Sequence, residues 1–172
     1  MSLIRRILGP WWPFWAALAA AAMLAIAHGF QTFGHLLPCE LCLKQRTVYW
    51  VALAVGIIGW RLELAMPGRR FAAVFAGLLA VVFLFQAGLA GYHAGVEWKW
   101  WPGPQSCSGQ GRADAQALAA LMSGAAVKAP NCDVAAWRWL GLSMAGWNAL
   151  IALGLAVLSL IALATGWRKR AL

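Results

Sequence analysis

Four apolar runs decide most of what this chain can become. They extend from about Trp11 to Phe33, from about Leu43 to Trp60, from Phe71 to about Tyr92, and from about Leu142 to Trp167. A helix needs roughly 20 mostly apolar residues to cross a hydrocarbon core about 30 Å thick, and inside that core the backbone must satisfy its own hydrogen bonds. The joints between the first three runs are too short for a soluble domain, and Pro67–Gly68 in "RLELAMPGRR" is a turn signal. The expected fold class is therefore an all-α membrane protein. It is a four-transmembrane-helix bundle made by residues 1–172 as a single domain, with a short outer loop (34–42) and a long one (93–141). Leu118, Leu121 and Met122 line one side of a short amphipathic stretch in the long loop, which predicts an interfacial helix there. Gly77, Gly88 and Gly91 are candidate points of close helix packing.

Composition matters here mainly for what it excludes. The chain is 63% hydrophobic and 11% charged, far from the balance of a soluble domain. Its formal charge of +9 would suit a nucleic-acid binder, but the cations sit at the ends of apolar runs and not on a polar face, so no nucleic-acid partner is expected. Arg5 and Arg6, an apolar stretch and "AIA" at 25–27 imitate a cleavable leader. The apolar run continues through Gly29, Phe30 and Phe33, which favours a true span.

The same cations orient the bundle. Arg5, Arg6, Arg61, Arg69, Arg70, Arg168, Lys169 and Arg170 crowd the two ends and the 61–70 joint. Lys44, Arg46, Lys99, Arg112, Lys128 and Arg138 are spread over the other side. The positive-inside rule then predicts both termini in the cytoplasm, with the 34–42 and 93–141 loops outside. Ten of the tryptophans, among them Trp11, Trp12, Trp60 and Trp167, fall near span ends, where they read as membrane anchors. All four cysteines, Cys39, Cys42, Cys107 and Cys132, fall on the outer side, where thiols can pair. Four cysteines allow three pairings, and adjacency favours Cys39–Cys42 and Cys107–Cys132.

"PCELCLKQR" carries the chemistry. Pro38 suits the first turn of the second helix, which would set Cys39 and Cys42 in that turn. A helix N-terminus favours thiolate over thiol, and Arg46 follows Cys42 by one turn with a charge that cannot be removed. The uncharged part of this span is only about 14 residues, or ~21 Å, so its head is drawn toward the headgroups and Lys44 and Arg46 snorkel. A thiolate at membrane depth beside a fixed cation suits a lipid-soluble electron acceptor such as a quinone. The plainer reading is a structural staple with Arg46 as an anchor. CxxC is also a metal spacing, and all four cysteines together would make a tetrahedral thiolate site. The oxidising side of the membrane argues against that, and no metal is expected. Cys107–Cys132 reads either as a loop-stabilising disulfide or as a relay to the first pair by thiol exchange. His93, at the outer end of span three, reads either as a structural histidine or as a polar contact to a bound headgroup, with His28 and His35 behind it.

"PCELCLKQR", "YHAGVEWKWWPGPQSC" and "CDVAAWRWLGLSMAGWNA" resemble the disulfide bond formation protein B (DsbB) family, over nearly the whole chain. That resemblance implies a bacterial inner-membrane, quinone-dependent protein-disulfide oxidoreductase. Its partner would be a periplasmic DsbA-like thioredoxin-fold oxidase, and its cofactor ubiquinone or menaquinone. It implies that Cys107 is attacked by the partner, that Cys132 attacks Cys39, and that Cys42 becomes the thiolate facing the quinone beside Arg46. Gln45 departs from the pattern, since an acidic residue also occurs there in the family. Vitamin K epoxide reductase-like enzymes share this logic, but their late-span cysteine pair is missing here. A subunit with two inert disulfides is the non-enzymatic alternative.

Overall fold

The computed structural model describes residues 9–66, 71–104, 107, 122 and 132–168. Its elements are α1 (Trp12–Thr32), α2 (Glu40–Ala65), α3 (Phe71–Glu97), a two-stranded hairpin of β1 (Arg138–Trp139) and β2 (Leu142–Ser143), and α4 (Met144–Arg168). All four helices are long and apolar enough to cross a membrane. The expected four-span helical bundle is therefore present. The span heads differ from the sequence expectation in ways that matter for the site. Helix α2 begins at Glu40, with Cys39 as its N-cap, so Pro38 precedes the cap and is not in the first turn. Helix α3 runs on to Glu97, which places His93 inside a helix and not in a loop. Leu142 and Ser143 are strand, not helix. The expected interfacial helix falls largely outside the described residues; Met122 is helical and exposed.

Local chemistry sets these boundaries. The Cys39 sulfur accepts the Cys42 N–H at 3.3 Å, which satisfies one orphan donor at the head of α2. Glu40 in that first turn pairs with Lys44 at 3.0 Å, a surface i,i+4 pair. Glu63 near the end of α2 accepts the Ala72 N–H at 3.0 Å and so caps the next helix. The hairpin turns through Leu140 (φ 49°) and Gly141 (φ 82°), the two positive φ values that a type I′ turn requires. Ser143, fully buried, accepts the Gly146 N–H at 3.1 Å and starts α4.

In a bilayer, helices associate through close packing and interhelical hydrogen bonds, because lipid tails are as apolar as the helix faces. Helix α3 packs most extensively on α4, α1 on α2, and α2 on α3. The shared core is built from small residues such as Ala16, Ala20, Ala52 and Ala156 around Leu79 and Phe83. Trp12 belongs to this core and not to a membrane belt: its indole N–H donates to Ser159 Oγ at 3.1 Å across the bundle. The close approaches also occur at other glycines than expected. A Cβ on Gly77 would make only ordinary contact with Leu163, and one on Gly88 or Gly91 would meet nothing within 4 Å among the described residues. At Gly56 and Gly59 it would sit 2.7 Å from the Pro13 carbonyl oxygen and 2.5 Å from the Phe75 ring.

Candidate dithiol site at the bundle end

The head of α2, the last turns of α3 and the start of α4 meet at one end of the bundle. Cys39, Cys107 and Cys132 are buried there in one cluster with Leu41, and Cys42 and Leu89 pack against it. The two pairs, far apart in sequence, are thus neighbours in space. Cys107 and Cys132 are disulfide-bonded, with Cα atoms 5.2 Å apart. Cys39 and Cys42 are free thiols whose sulfurs approach to 2.6 Å. The hydrogen bond with Cys42, then burial, push the Cys39 thiol well above the ordinary thiol range.

Cys39 and Cys42 both border a cavity of about 730 Å³ walled by all four helices. Its wall is mostly apolar, including Phe30, Leu37, Trp137 and Ile151, with the two thiols and Gln45, Arg46, Tyr49, His93, Glu97 and Asn148 as polar points. That size and that sparse polar lining are typical of a site for a small apolar ligand. The Arg46 guanidinium donates to Gln31 Oε1 at 2.5 Å and to the Ala27 carbonyl at 2.9 Å, so both bonds reach back to α1. These bonds hold a charge that would otherwise snorkel, and they fix it at the cavity wall. His93 Nε2 lies 3.7 Å from Cys39 Sγ and 3.9 Å from Glu97 Oε1. His28 and His35 are not part of the cavity lining.

Four polar site residues escaped the sequence reading: Gln31, Tyr49, Glu97 and Asn148. Glu97 is buried beside His93, although its sequence neighbours read as loop. Asn148 donates to Gln45 Oε1 at 2.5 Å. The available signal was polar residues within apolar runs, which are expensive in a bilayer and mark functional or paired positions. The proposed four-cysteine metal site is not formed, because Cys107 and Cys132 are bonded to each other. The Cys39 and Cys42 sulfurs and a His93 ring nitrogen do lie within 4.8 Å of one another. Gln45 Nε2 faces His93 Nδ1 at 2.9 Å, however, so the other nitrogen turns an N–H toward Cys39 and not a lone pair.

Beyond the cluster, Lys99 pairs with Asp133 at 2.5 Å and ties the end of α3 to the residue after Cys132. The Lys99 hydrogen bond, and then its charge, hold the Asp133 carboxyl below the usual carboxylate range. The folded-state value is depressed, so any contribution to stability is present at neutral pH and disappears as pH falls through that folded value. Both side chains are largely exposed, at 63% and 44%, so the contribution is small. Lys99→Met should raise the Asp133 titration midpoint toward the ordinary carboxylate range in an NMR titration, leaving helicity unchanged.

The family model described as "Disulfide bond formation protein DsbB" matches residues 10–162. Curated relatives called disulfide bond formation protein B are similar along most of their length. The protein from Methylococcus capsulatus is 31% identical over 153 residues, covering 84% of this chain and 87% of the relative. The one from Nitrosococcus oceani is 31% identical over 154 residues, covering 87% and 88%. The one from Dechloromonas aromatica is 28% identical over 145 residues, covering 80% and 82%. A match of that extent, on a four-span bundle that brings two distant cysteine pairs together, shows that this multi-pass membrane protein belongs to the DsbB family of disulfide bond formation proteins.

Proposed function

We propose that the protein oxidises a DsbA-type thioredoxin-fold partner at the periplasmic face of the bacterial inner membrane. The electron pair passes through Cys107/Cys132 and Cys39/Cys42 to a membrane quinone, and both termini lie in the cytoplasm. One observation carries the reading: both cysteine pairs share a buried cluster, and the first pair, Cys39 and Cys42, borders a mostly apolar cavity whose wall holds a fixed guanidinium.

The exchange steps follow from thiol chemistry. A thiolate of the reduced partner attacks Cys107 Sγ and expels Cys132 as thiolate. Cys132 attacks Cys39 of an oxidised first pair and expels Cys42 as thiolate at the cavity wall. The second partner thiol closes the partner's own disulfide and frees Cys107. Cys107 then attacks Cys132, which reforms the second disulfide and leaves Cys39 and Cys42 reduced. One partner dithiol has been oxidised and one electron pair rests on the first pair. A quinone held by Arg46, Cys42 and His93 would supply the acceptor for that pair and two protons, restoring Cys39–Cys42. Arg46 has the right chemistry for negative charge developing on a ring, since its guanidinium stays charged in a low dielectric.

The test is stopped-flow absorbance with purified protein, reduced DsbA-type partner and ubiquinone. Loss of the quinone band at a rate proportional to enzyme is expected, and an unchanged band would overturn the proposal. Arg46→Ala should raise the apparent Michaelis constant for quinone by about tenfold, the loss of one charge-assisted contact of ~1.4 kcal/mol. An unchanged constant would remove Arg46 from the binding site.

A further inference from the structure

The mechanism above uses Cys39, Cys42 and His93, but it leaves unexplained three buried polar side chains that continue inward from them. Tyr49 Oη donates to Asn148 Oδ1 at 2.5 Å. Asn148 Nδ2 donates to Gln45 Oε1 at 2.5 Å. That leaves the Gln45 amide group, which can only donate, against His93 Nδ1 at 2.9 Å. The ring then carries its proton on Nε2, which points at Cys39 Sγ at 3.7 Å. Cys39 in turn lies 2.6 Å from Cys42 Sγ. Each group donates in the same direction, from Tyr49 on α2 through Asn148 on α4, Gln45 on α2 and His93 on α3 to the dithiol. Tyr49, Gln45, His93 and Asn148 are each no more than 9% exposed, so water does not compete for these bonds.

We propose that this one-way chain of donors is a positioning device that decides which cysteine of the reduced pair carries the negative charge. With His93 locked as an Nε2–H donor, the Cys39 sulfur is met by that hydrogen as well as by the Cys42 N–H at 3.3 Å. A hydrogen bond donated to a sulfur favours its charged form, so the chain draws negative charge toward Cys39, against the pull of Arg46 on Cys42. With the opposite polarity, His93 would present a lone pair to Cys39, accept its S–H and leave the charge on Cys42. Bonds in such a chain polarise one another, which gives Tyr49 and Asn148 an effect on sulfurs they do not touch. The other charged group facing His93 is Glu97 from α3, with its carboxylate 3.9 Å from Nε2. Glu97 favours the same tautomer when ionised. Arg46 faces the Cys42 side and is bonded to α1. No covalent step is added: the chain selects among protonation states of the dithiol in the reading given above.

Two measurements that need neither quinone nor partner test this. The first is the ¹⁵N spectrum of histidine-labelled protein, with His93 identified by its loss in His93→Gln. The wild type should show a single neutral tautomer protonated at Nε2. Asn148→Leu frees the Gln45 amide to rotate and should give a mixture of the two tautomers; Tyr49→Phe, an isosteric change, should give a smaller shift in the same direction. The second is brief alkylation of the reduced protein, reading the Cys42-to-Cys39 labelling ratio by peptide mass spectrometry. That ratio should rise about threefold in Asn148→Leu, the size of one net hydrogen bond donated to Cys39. A wild-type ring protonated at Nδ1 would overturn the proposal. So would a tautomer and a labelling ratio that do not move in either variant. Neither result depends on whether a quinone is reduced, so the chain and the electron-transfer reading can fail separately.

Discussion

Cys42→Ser is expected to lower quinone-dependent turnover by about 10³-fold or more, the scale seen when a member of a concerted nucleophilic set is removed. The reason is positional. Both sulfurs border the cavity, but Cys39 is buried in the cysteine cluster while Cys42 is the less buried of the two and is the sulfur Cys39 must pair with. Without it, Cys39 has no partner sulfur, so the first disulfide cannot form and no electron pair can be taken up by it or passed on. The Cys107–Cys132 disulfide is untouched, so the variant should still oxidise one equivalent of reduced partner and then stop. This burst without turnover separates a relay from two inert disulfides. Steady turnover in Cys42→Ser would defeat the assigned route, and a missing burst would mean that Cys107–Cys132 does not meet the partner. Cys132→Ser should lose both the burst and the turnover.

Gly56→Leu should be the most damaging change far from the chemistry. A Cβ at this position would stand 2.7 Å from the Pro13 carbonyl oxygen and 2.8 Å from the Ala17 Cβ. Backbone oxygens cannot rotate aside, so α1 and α2 must separate. The same two helices carry the Arg46 bonds to Gln31 and Ala27, so the separation should also release the guanidinium from the cavity wall. A loss of about 3 kcal/mol is expected, at the upper end for overpacking. It should appear as a lower midpoint in denaturant unfolding followed by tryptophan fluorescence, together with a weaker apparent affinity for quinone. Gly154→Leu is the control, because a Cβ there meets nothing within 4 Å among the described residues. Equal midpoints for the two variants would show that the α1–α2 seam is softer than its geometry implies.

These two predictions draw on different kinds of legibility. The cysteine pairs and Arg46 could be named from the chain because spacing alone sets them: CxxC followed four residues later by a cation lies on adjacent turns of one helix. The helix seam could not. Gly77, Gly88 and Gly91 looked as suitable as Gly56, since a small residue marks a permitted approach and not an actual one. Which glycine meets a backbone depends on helix rotation and crossing point, and neither is written in a local window. Trp12 shows the same limit. Its place near a span end read as an anchor, yet it is 3% exposed and bonded to Ser159, 147 residues away in sequence.

The sequence by itself determined the number of spans, the cation asymmetry and the gathering of all cysteines at one end. Each follows from hydropathy and charge, which act residue by residue against a fixed bilayer thickness. The tertiary structure decided that the two cysteine pairs share one cluster, that Arg46 is fastened to α1, and that His93 faces Cys39 with a chain of amides behind it. Gln45 and His93 are 48 residues apart, and Gln45 and Asn148 are 103 apart. A buried polar group must find a partner, but only the packing of four helices fixes which one it finds, and in which direction the hydrogen points.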